Sequence, residues 1–524
     1  MVKLALGALI QPARLGGQKL PRHVQVYRTV LDAILSGKLP PGARLPSARQ
    51  LAMDWGVTRG AVDAAFDLLH QEGCLVRRVG DGSYVAQPLP ATLARLPSAP
   101  PVALRGLSRS AQHVLDRFAP YMGKPLRLDV MQDVMRAKPL FPRAPLLEDF
   151  PLPQWRRLVA DAFADDQHEA LSYGPAVGMT TLGEAIARHL TLTRATPCTA
   201  AQVMVVNSPM QGIELISRVL LEQGDKVWTE DPGHASLPAL LRVLHQEPVP
   251  VPLDAQGLNV AAGRALAPNA AAVYFHPGVQ FPTGIRTSNA RRRELMDWAD
   301  EVGAWIIEGN FNDELAHDRN APESLQAIDR NDRVLTMGTF EGILYPSLRL
   351  AYLVVPERLM KVFMAMRGLM GDHSSVAMQH ATTRFPQEGH MATRLRQMRA
   401  RIEQRRTSLV AAMAKHLPAW VQAGPLDGDG HACLHLPLGV ADLLVNDVHV
   451  ATALRQKEVL SFALSSLCMK PYGLNAIVIN YAAFSAAEID TAMAAFGAVL
   501  KESGSNTGPV VTCSAHYQGA GEKT

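Results

Sequence analysis

No uninterrupted apolar run in the sequence approaches the roughly 18 residues of a membrane-spanning helix, and the N-terminus lacks an apolar core ending in a small-residue cleavage site. Both absences predict a cytoplasmic protein with no membrane partner. Cysteine is sparse: Cys74, Cys198, Cys433, Cys468 and Cys513 are widely scattered and form no CxxC pair. That argues against a disulfide-framed secreted scaffold and against a zinc finger, so the thiols read as reduced. Walker-loop, HExxH and GxSxG patterns are also missing, which removes the commonest nucleotide-binding, zinc-protease and hydrolase designs. Nor does one sign of charge dominate, since 52 Lys and Arg face 48 Asp and Glu.

What is present is a chain of 524 residues, 48% apolar and 19% charged, which predicts a large soluble protein of about three to four domain-sized units. Its charge is uneven. The first 86 residues hold 11 Lys and Arg against 6 Asp and Glu, a local +5, and the remainder is −1. A basic head on a near-neutral body calls for an anionic partner, with nucleic acid the first candidate.

Within that head Val26, Val30, Ala33 and Ile34 fall on one helical face, and Gly37 with Pro40-Pro41-Gly42 stops the helix. Ser47 can cap a second helix ending at Gly56, and Thr58 a third, whose apolar face is Val62, Phe66 and Leu69. Leu75 to Val85 then reads as a hairpin turning at Gly80-Asp81-Gly82. The pattern predicts a helix-turn-helix with a wing at 15–86. A Pro-, Ala- and Ser-rich linker follows at 87–120. From residue 121 to 503 short apolar runs at 203–206, 226–229, 272–275, 305–307, 334–337 and 350–355 alternate with helical patterns. These predict a mostly parallel, two-side-covered sheet, with a large subdomain at about 150–390 and a smaller α+β subdomain at about 394–500. The polar stretch 504–524 reads as a disordered tail.

Leu45-Pro46-Ser47-Ala48-Arg49-Gln50-Leu51-Ala52, Gly56-Val57-Thr58-Arg59 and Arg77-Arg78-Val79-Gly80-Asp81-Gly82-Ser83-Tyr84-Val85 resemble the GntR family of winged-helix regulators. The resemblance implies double-stranded operator DNA as partner. It places Arg59 at base edges, Thr58 and Arg49 at phosphates or bases, Arg77 and Arg78 at phosphates, and the Gly80 wing tip in the minor groove. Asp63 stands where other branches of the family carry arginine, so specificity is expected to lean on Arg59.

The body resembles the aminotransferase-like module of the MocR subfamily, in which a GntR head is fused to a fold-type I pyridoxal phosphate domain. The carrying stretches are Tyr173-Gly174-Pro175-Ala176-Val177-Gly178, Glu230-Asp231-Pro232-Gly233, Gln280-Phe281-Pro282-Thr283-Gly284, Gly338-Thr339-Phe340 and Pro346-Ser347-Leu348-Arg349. Pyridoxal phosphate is thereby implied as cofactor, and such a site needs a Schiff-base lysine and an acid on the pyridine nitrogen. The family's motifs place that lysine at Gly342, the acid at Gly309, the ring-oxygen tyrosine at Phe311, the stacking aromatic at His234 and the substrate-carboxylate arginine at Val478. In the phosphate loop Pro209 and Met210 replace residues of the family pattern, and Pro209 has no N–H. Thr339 and Arg349 remain as phosphate partners, with Glu341 repelling beside them. No lysine lies between Lys226 and Lys361. Covalent cofactor binding and catalysis are therefore expected to be lost, leaving a homodimeric regulator with an effector of unknown identity. Two alternatives are a pyridoxal phosphate-dependent sensor or aminotransferase using another lysine, and a scaffold with no operator. His431, Cys433 and His435 alternate as metal ligands on a strand could, but so does any half-buried strand, and no metal is expected.

Overall fold

The computed structural model describes residues 21–78, 80–87, 108–109, 111–112, 138–142, 144–165, 170–311, 313–315, 324–426, 428–437 and 446–504. All but a few residues of the expected linker, and the expected tail beyond residue 504, lie outside the described residues. Internal contacts divide the chain into two units, Met1–Gly106 and Leu107–Thr524.

The first unit contains α1 (Arg22–Leu35), α2 (Ala48–Trp55), α3 (Arg59–Gln71) and a hairpin of β1 (Leu75–Arg78) and β2 (Gly82–Val85). Local chemistry sets the helix ends. Ser47 Oγ accepts the Gln50 N–H at 3.2 Å and Thr58 Oγ1 the Ala61 N–H at 3.3 Å, so each helix starts on a side-chain cap. Gly56, at φ 62°, closes α2 in the left-handed region that other residues adopt at a cost. The apolar faces of the three helices meet around Val30, Val62, Ala65 and Leu69, all at 0% exposure. Ala43–Leu45 adds a short third edge to the wing, through Leu45 N–H to Ser83 O and Val85 N–H to Ala43 O, both 2.9 Å.

The second unit is built on an eight-stranded sheet of β3 (Val203–Val206), β4 (Lys226–Asp231), β5 (Glu247–Asp254), β6 (Gly257–Leu258), β7 (Ala272–Phe275), β8 (Trp305–Asn310), β9 (Val334–Thr339) and β10 (Ala351–Val354). Their order is β3-β10-β9-β8-β7-β4-β5-β6. β5, β4, β7, β8 and β9 run parallel, whereas β10 lies antiparallel between β3 and β9. Val203–Val206, Ala272–Phe275 and Ala351–Val354 are buried at every position, as strands covered by helices on both faces require. On one face Trp228 stacks on Trp298 of the helix Asn289–Val302, with ring centroids 3.7 Å apart.

β5 is absent from the apolar runs because it reads Glu247-Pro248-Val249-Pro250-Val251-Pro252. Its prolines alternate, so the N–H groups of the residues between them serve the β4 side, while the prolines present no donor to the outer side. The smaller sheet consists of β11 (Gln422–Ala423), β12 (His431–His435), β13 (Phe462–Ala463) and β14 (Ala476–Asn480), all antiparallel in the order β11-β12-β14-β13. Helices His390–His416 and Ala486–Gly504 pack together beside it. No helix among the described residues is long and apolar enough to cross a membrane.

Candidate functional site

In the first unit the expected DNA-facing residues lie on exposed positions but are not equally free. Arg49 sits exposed in the first turn of α2, and Thr58 is spent on the cap of α3. Arg59, the first residue of α3, places Nε 3.4 Å from Asp63 Oδ2. Arg77 turns back from β1 to α3, where Nη2 lies 2.5 Å from Asp67 Oδ1. Arg78 lays its guanidinium over the Tyr84 ring, 4.5 Å from the centroid. Tyr84 in turn donates its hydroxyl to Asp81 at 2.8 Å, which holds the turn containing Gly80. The free N–H groups and partial positive charge at the start of α3, with Arg59 beside them, suit an anionic ligand.

In the second unit the positions implied as a cofactor pocket converge at the C-terminal ends of β4, β7, β8 and β9. Gly309 is the closest-packed of them. A Cβ there would lie 2.8 Å from His276 Cδ2, 2.9 Å from His276 Nε2 and 3.1 Å from Phe311 Cε2. The His276 ring thus fills the space beside position 309, and Phe311 packs on it with centroids 5.0 Å apart. His276 is fixed at both nitrogens, Nδ1 at 3.1 Å from Glu230 Oε2 and Nε2 at 3.1 Å from the Tyr274 hydroxyl. Burial and the Glu230 charge hold the Tyr274 phenol well above its ordinary pKa. Asn310 points elsewhere, accepting from Arg194 Nη2 at 2.5 Å, and the same arginine pairs with Asp313. Burial penalises the Arg194 cation, but Asp313, Glu308 and Glu314 outweigh that and raise its pKa. Burial raises the pKa of Glu308 in the same cluster.

The phosphate side is likewise satisfied from within. Ser208 Oγ accepts the Gln211 N–H at 3.2 Å, capping the helix Pro209–Leu220, and Asn207 N–H donates to Gln211 Oε1 at 2.6 Å. Asn207 Nδ2 and Gln211 Nε2 both donate to Asp372, the former at 2.7 Å. Arg367 is buried between Gln211 and Ser374, and burial lowers its pKa to about 10. Met210 follows Pro209 in the first turn and packs against the core of this sheet face. Across the pocket, Thr339 Oγ1 accepts the Glu341 N–H at 3.1 Å, and Arg349 Nη1 stands 3.6 Å from Glu341 Oε1. Gly342 follows in the turn after β9. A phosphate dianion would have to compete with two of the chain's own carboxylates for these donors.

Val478 is fully buried in β14, in an apolar cluster with Cys433, Leu464 and Leu467 against which Phe281 and Ala235 pack. His234 lies 6.0 Å from the Phe281 ring. At the positions the resemblance implies, the residues offer pyridoxal phosphate few of its usual partners: no amine stands at 342, the His276 ring packs against Gly309, and apolar side chains surround Val478. A cleft of about 240 Å³ remains alongside, lined by Glu230, Gly233, Ala235, Pro238 and Arg242 from one stretch of the chain and by Leu467, Cys468 and Met469 from another. His431 and Cys433 are engaged in packing: His431 bridges Asp429 Oδ1 at 2.8 Å and Pro142 O at 2.6 Å, and Cys433 Sγ donates to Pro282 O at 3.0 Å. From sequence His276 has no partner at a recognisable spacing and reads as structural, Glu230 belongs to a carrying stretch without a role of its own, and Asp372 gives no signal at all.

Comparison with known proteins bears on both units. Residues 22–85 match the family described as bacterial regulatory proteins, gntR family, and residues 144–496 match aminotransferase class I and II. The chain is 31% identical over 407 residues to the probable rhizopine catabolism regulatory protein MocR of Rhizobium meliloti, covering 77% of this chain and 79% of that protein. It is 28% identical over 410 residues to the HTH-type pyridoxine biosynthesis transcriptional regulator PdxR of Corynebacterium glutamicum, covering 78% and 82% respectively. Among solved structures, the kynurenine aminotransferase of Pyrococcus horikoshii superimposes with a TM-score of 0.65 at 22% identity, over 74% of this chain and 98% of that one. That likeness concerns the fold.

Proposed function

The chain belongs to the MocR subfamily of GntR-type transcriptional regulators, and from that premise we propose a cytoplasmic homodimer that binds operator DNA through its head and uses a non-catalytic aminotransferase-like body for dimerisation and effector sensing. The observation that carries this reading is the pair Gly342 and Gly309, the second closed by the tethered ring of His276. With no amine to condense and no acid to hold a pyridinium, the body has no route to aldimine chemistry. Two heads in a symmetric dimer call for an operator with two half-sites. The cleft between Pro238 and Met469 is the place for a small effector, bound without a covalent link. Such a ligand changes DNA affinity only by the difference in its binding to the two arrangements of heads and body.

The test is an absorbance titration of the purified protein with pyridoxal phosphate, followed by borohydride reduction and mass mapping. No aldimine band and no lysine adduct are expected. Among the described residues, a candidate for the alternative of a cofactor-dependent sensor or aminotransferase is Lys470, whose backbone N–H lies 3.1 Å from Asp231 Oδ2 at the end of β4. A single adduct on Lys470, or on any other lysine, would replace the present reading with that one.

A further inference from the structure

The exposed face of α3 carries an unusual order of charge for a DNA-reading helix. Arg59, Asp63 and Asp67 follow at four-residue spacing and so share one face. Each acid is engaged by an arginine: Asp63 by Arg59 at 3.4 Å and Asp67 by Arg77 of the wing at 2.5 Å. The carboxylate side chains are about half exposed, at 48% and 53%, and ion pairs so exposed contribute little to stability. The fold therefore does not account for them. Towards DNA they are costly, because a carboxylate repels phosphate and cancels the charge that gives sequence-independent attraction. What a carboxylate gains in the major groove is the amino group of cytosine, N4, while arginine is matched by guanine O6 and N7.

We propose that Asp63 is a specificity-determining residue whose carboxylate accepts a hydrogen bond from a cytosine amino group, within about two base pairs of the guanine met by Arg59. The spacing follows from geometry: four helical residues rise about 6 Å, against about 3.4 Å per base pair. In the free protein Asp63 holds the Arg59 guanidinium, and on a matching site both groups exchange their mutual contact for bases. On a mismatched site Asp63 meets the acceptors of guanine or thymine, or adenine with its acceptor N7 beside the amino group, and opposes binding. The inference rests on the DNA-binding reading of the head and goes beyond it in naming what is read.

Selection of full-length protein on a duplex pool, with a randomised core long enough for two half-sites, tests it by sequencing the bound fraction. The wild type is expected to enrich a motif with a cytosine near a guanine in each half-site. Asp63→Ala should weaken the preference for that cytosine about tenfold. Asp63→Asn, nearly isosteric, should shift it towards adenine, whose N6 and N7 an amide matches, a gain that a misfolded head cannot produce. Asp67→Asn should leave the base weights unchanged and tighten binding to unselected DNA. Unchanged base weights in both Asp63 variants, or an equal shift in Asp67→Asn, would overturn the assignment while leaving DNA reading intact. A wild type that enriches no motif overturns DNA reading itself.

Discussion

Adding a single methyl group at position 309 measures how firmly His276 closes the pocket. An ideal Cβ would sit 2.8 Å from His276 Cδ2, whereas carbon pairs rest at about 3.5–4.0 Å, so the ring would have to retreat by about 0.7 Å or more. It is poorly placed to do so, with one nitrogen on Glu230, the other on Tyr274 and Phe311 behind it. Overpacking of this kind costs about 1–3 kcal/mol. Replacing glycine by alanine in a strand returns about 0.5–1 kcal/mol, leaving a net loss of roughly 0–2.5 kcal/mol for Gly309→Ala. In a His276→Ala background the two nearest contacts go, the 3.1 Å approach to Phe311 stays, and Gly309→Ala should become neutral or mildly stabilising. The cost of His276→Ala itself, about 1–3 kcal/mol for the buried groups it strands, cancels in the cycle. Urea unfolding of the four proteins, followed by fluorescence of the sheet-side Trp228, Trp298 and Trp305, should give a coupling of about 2 kcal/mol. Equal costs for Gly309→Ala in the two backgrounds would refute the claim that this ring occupies the acid's place.

Arg59→Ala should lower affinity for the selected operator by about 1–3 kcal/mol in a fluorescence-anisotropy titration, as loss of a bidentate base contact does, and an unchanged affinity would remove Arg59 from the bases. The logarithm of operator affinity should fall linearly with the logarithm of salt concentration, with Arg49→Ala reducing the slope by about 1; salt-insensitive binding would contradict phosphate tracking. Burial works against the His431 imidazolium, but Asp429 and the Pro142 carbonyl outweigh it and leave its pKa above the ordinary 6.5. Protonation therefore favours the folded state: its contribution is complete below about pH 6.5 and is lost as pH rises through the elevated folded value. Urea midpoints of the wild type should drop from about pH 6 to about pH 8.5 more than those of His431→Gln, and parallel drops in the two proteins would count against it.

The head was legible because its signals are local. Ser47, Thr58 and Gly56 act on helix ends a few residues away, and the apolar face of α3 falls at helical spacing. The parallel strands announced themselves as short apolar runs bounded by turns, even where β8 extends three residues and β9 two beyond the expected ends to carry Gly309, Asn310 and Thr339 into the pocket. β5 escaped because its prolines mimic a loop, although one side of the strand retains the donors β4 needs. The substitutions at 209, 309, 311 and 342 were visible as departures from a motif, but what replaced the lost groups was not. His276 reaches position 309 from a neighbouring strand, Asp372 reaches Asn207 across 165 positions, and Asn310 turns to Arg194. Each depends on which strands are adjacent and how side chains pack, and sequence spacing encodes neither.

The alternating prolines of β5 also bear on how copies of the chain can meet. A strand arriving at the outer side of Pro248 and Pro250 would find no amide protons there, and the Pro252 carbonyl already accepts the Asn259 N–H at 3.0 Å, so at most half a ladder could form. The long sheet cannot be extended from one molecule into the next along that border, and runaway fibre growth is barred there by covalent structure. Contacts between copies at that border are left to side chains.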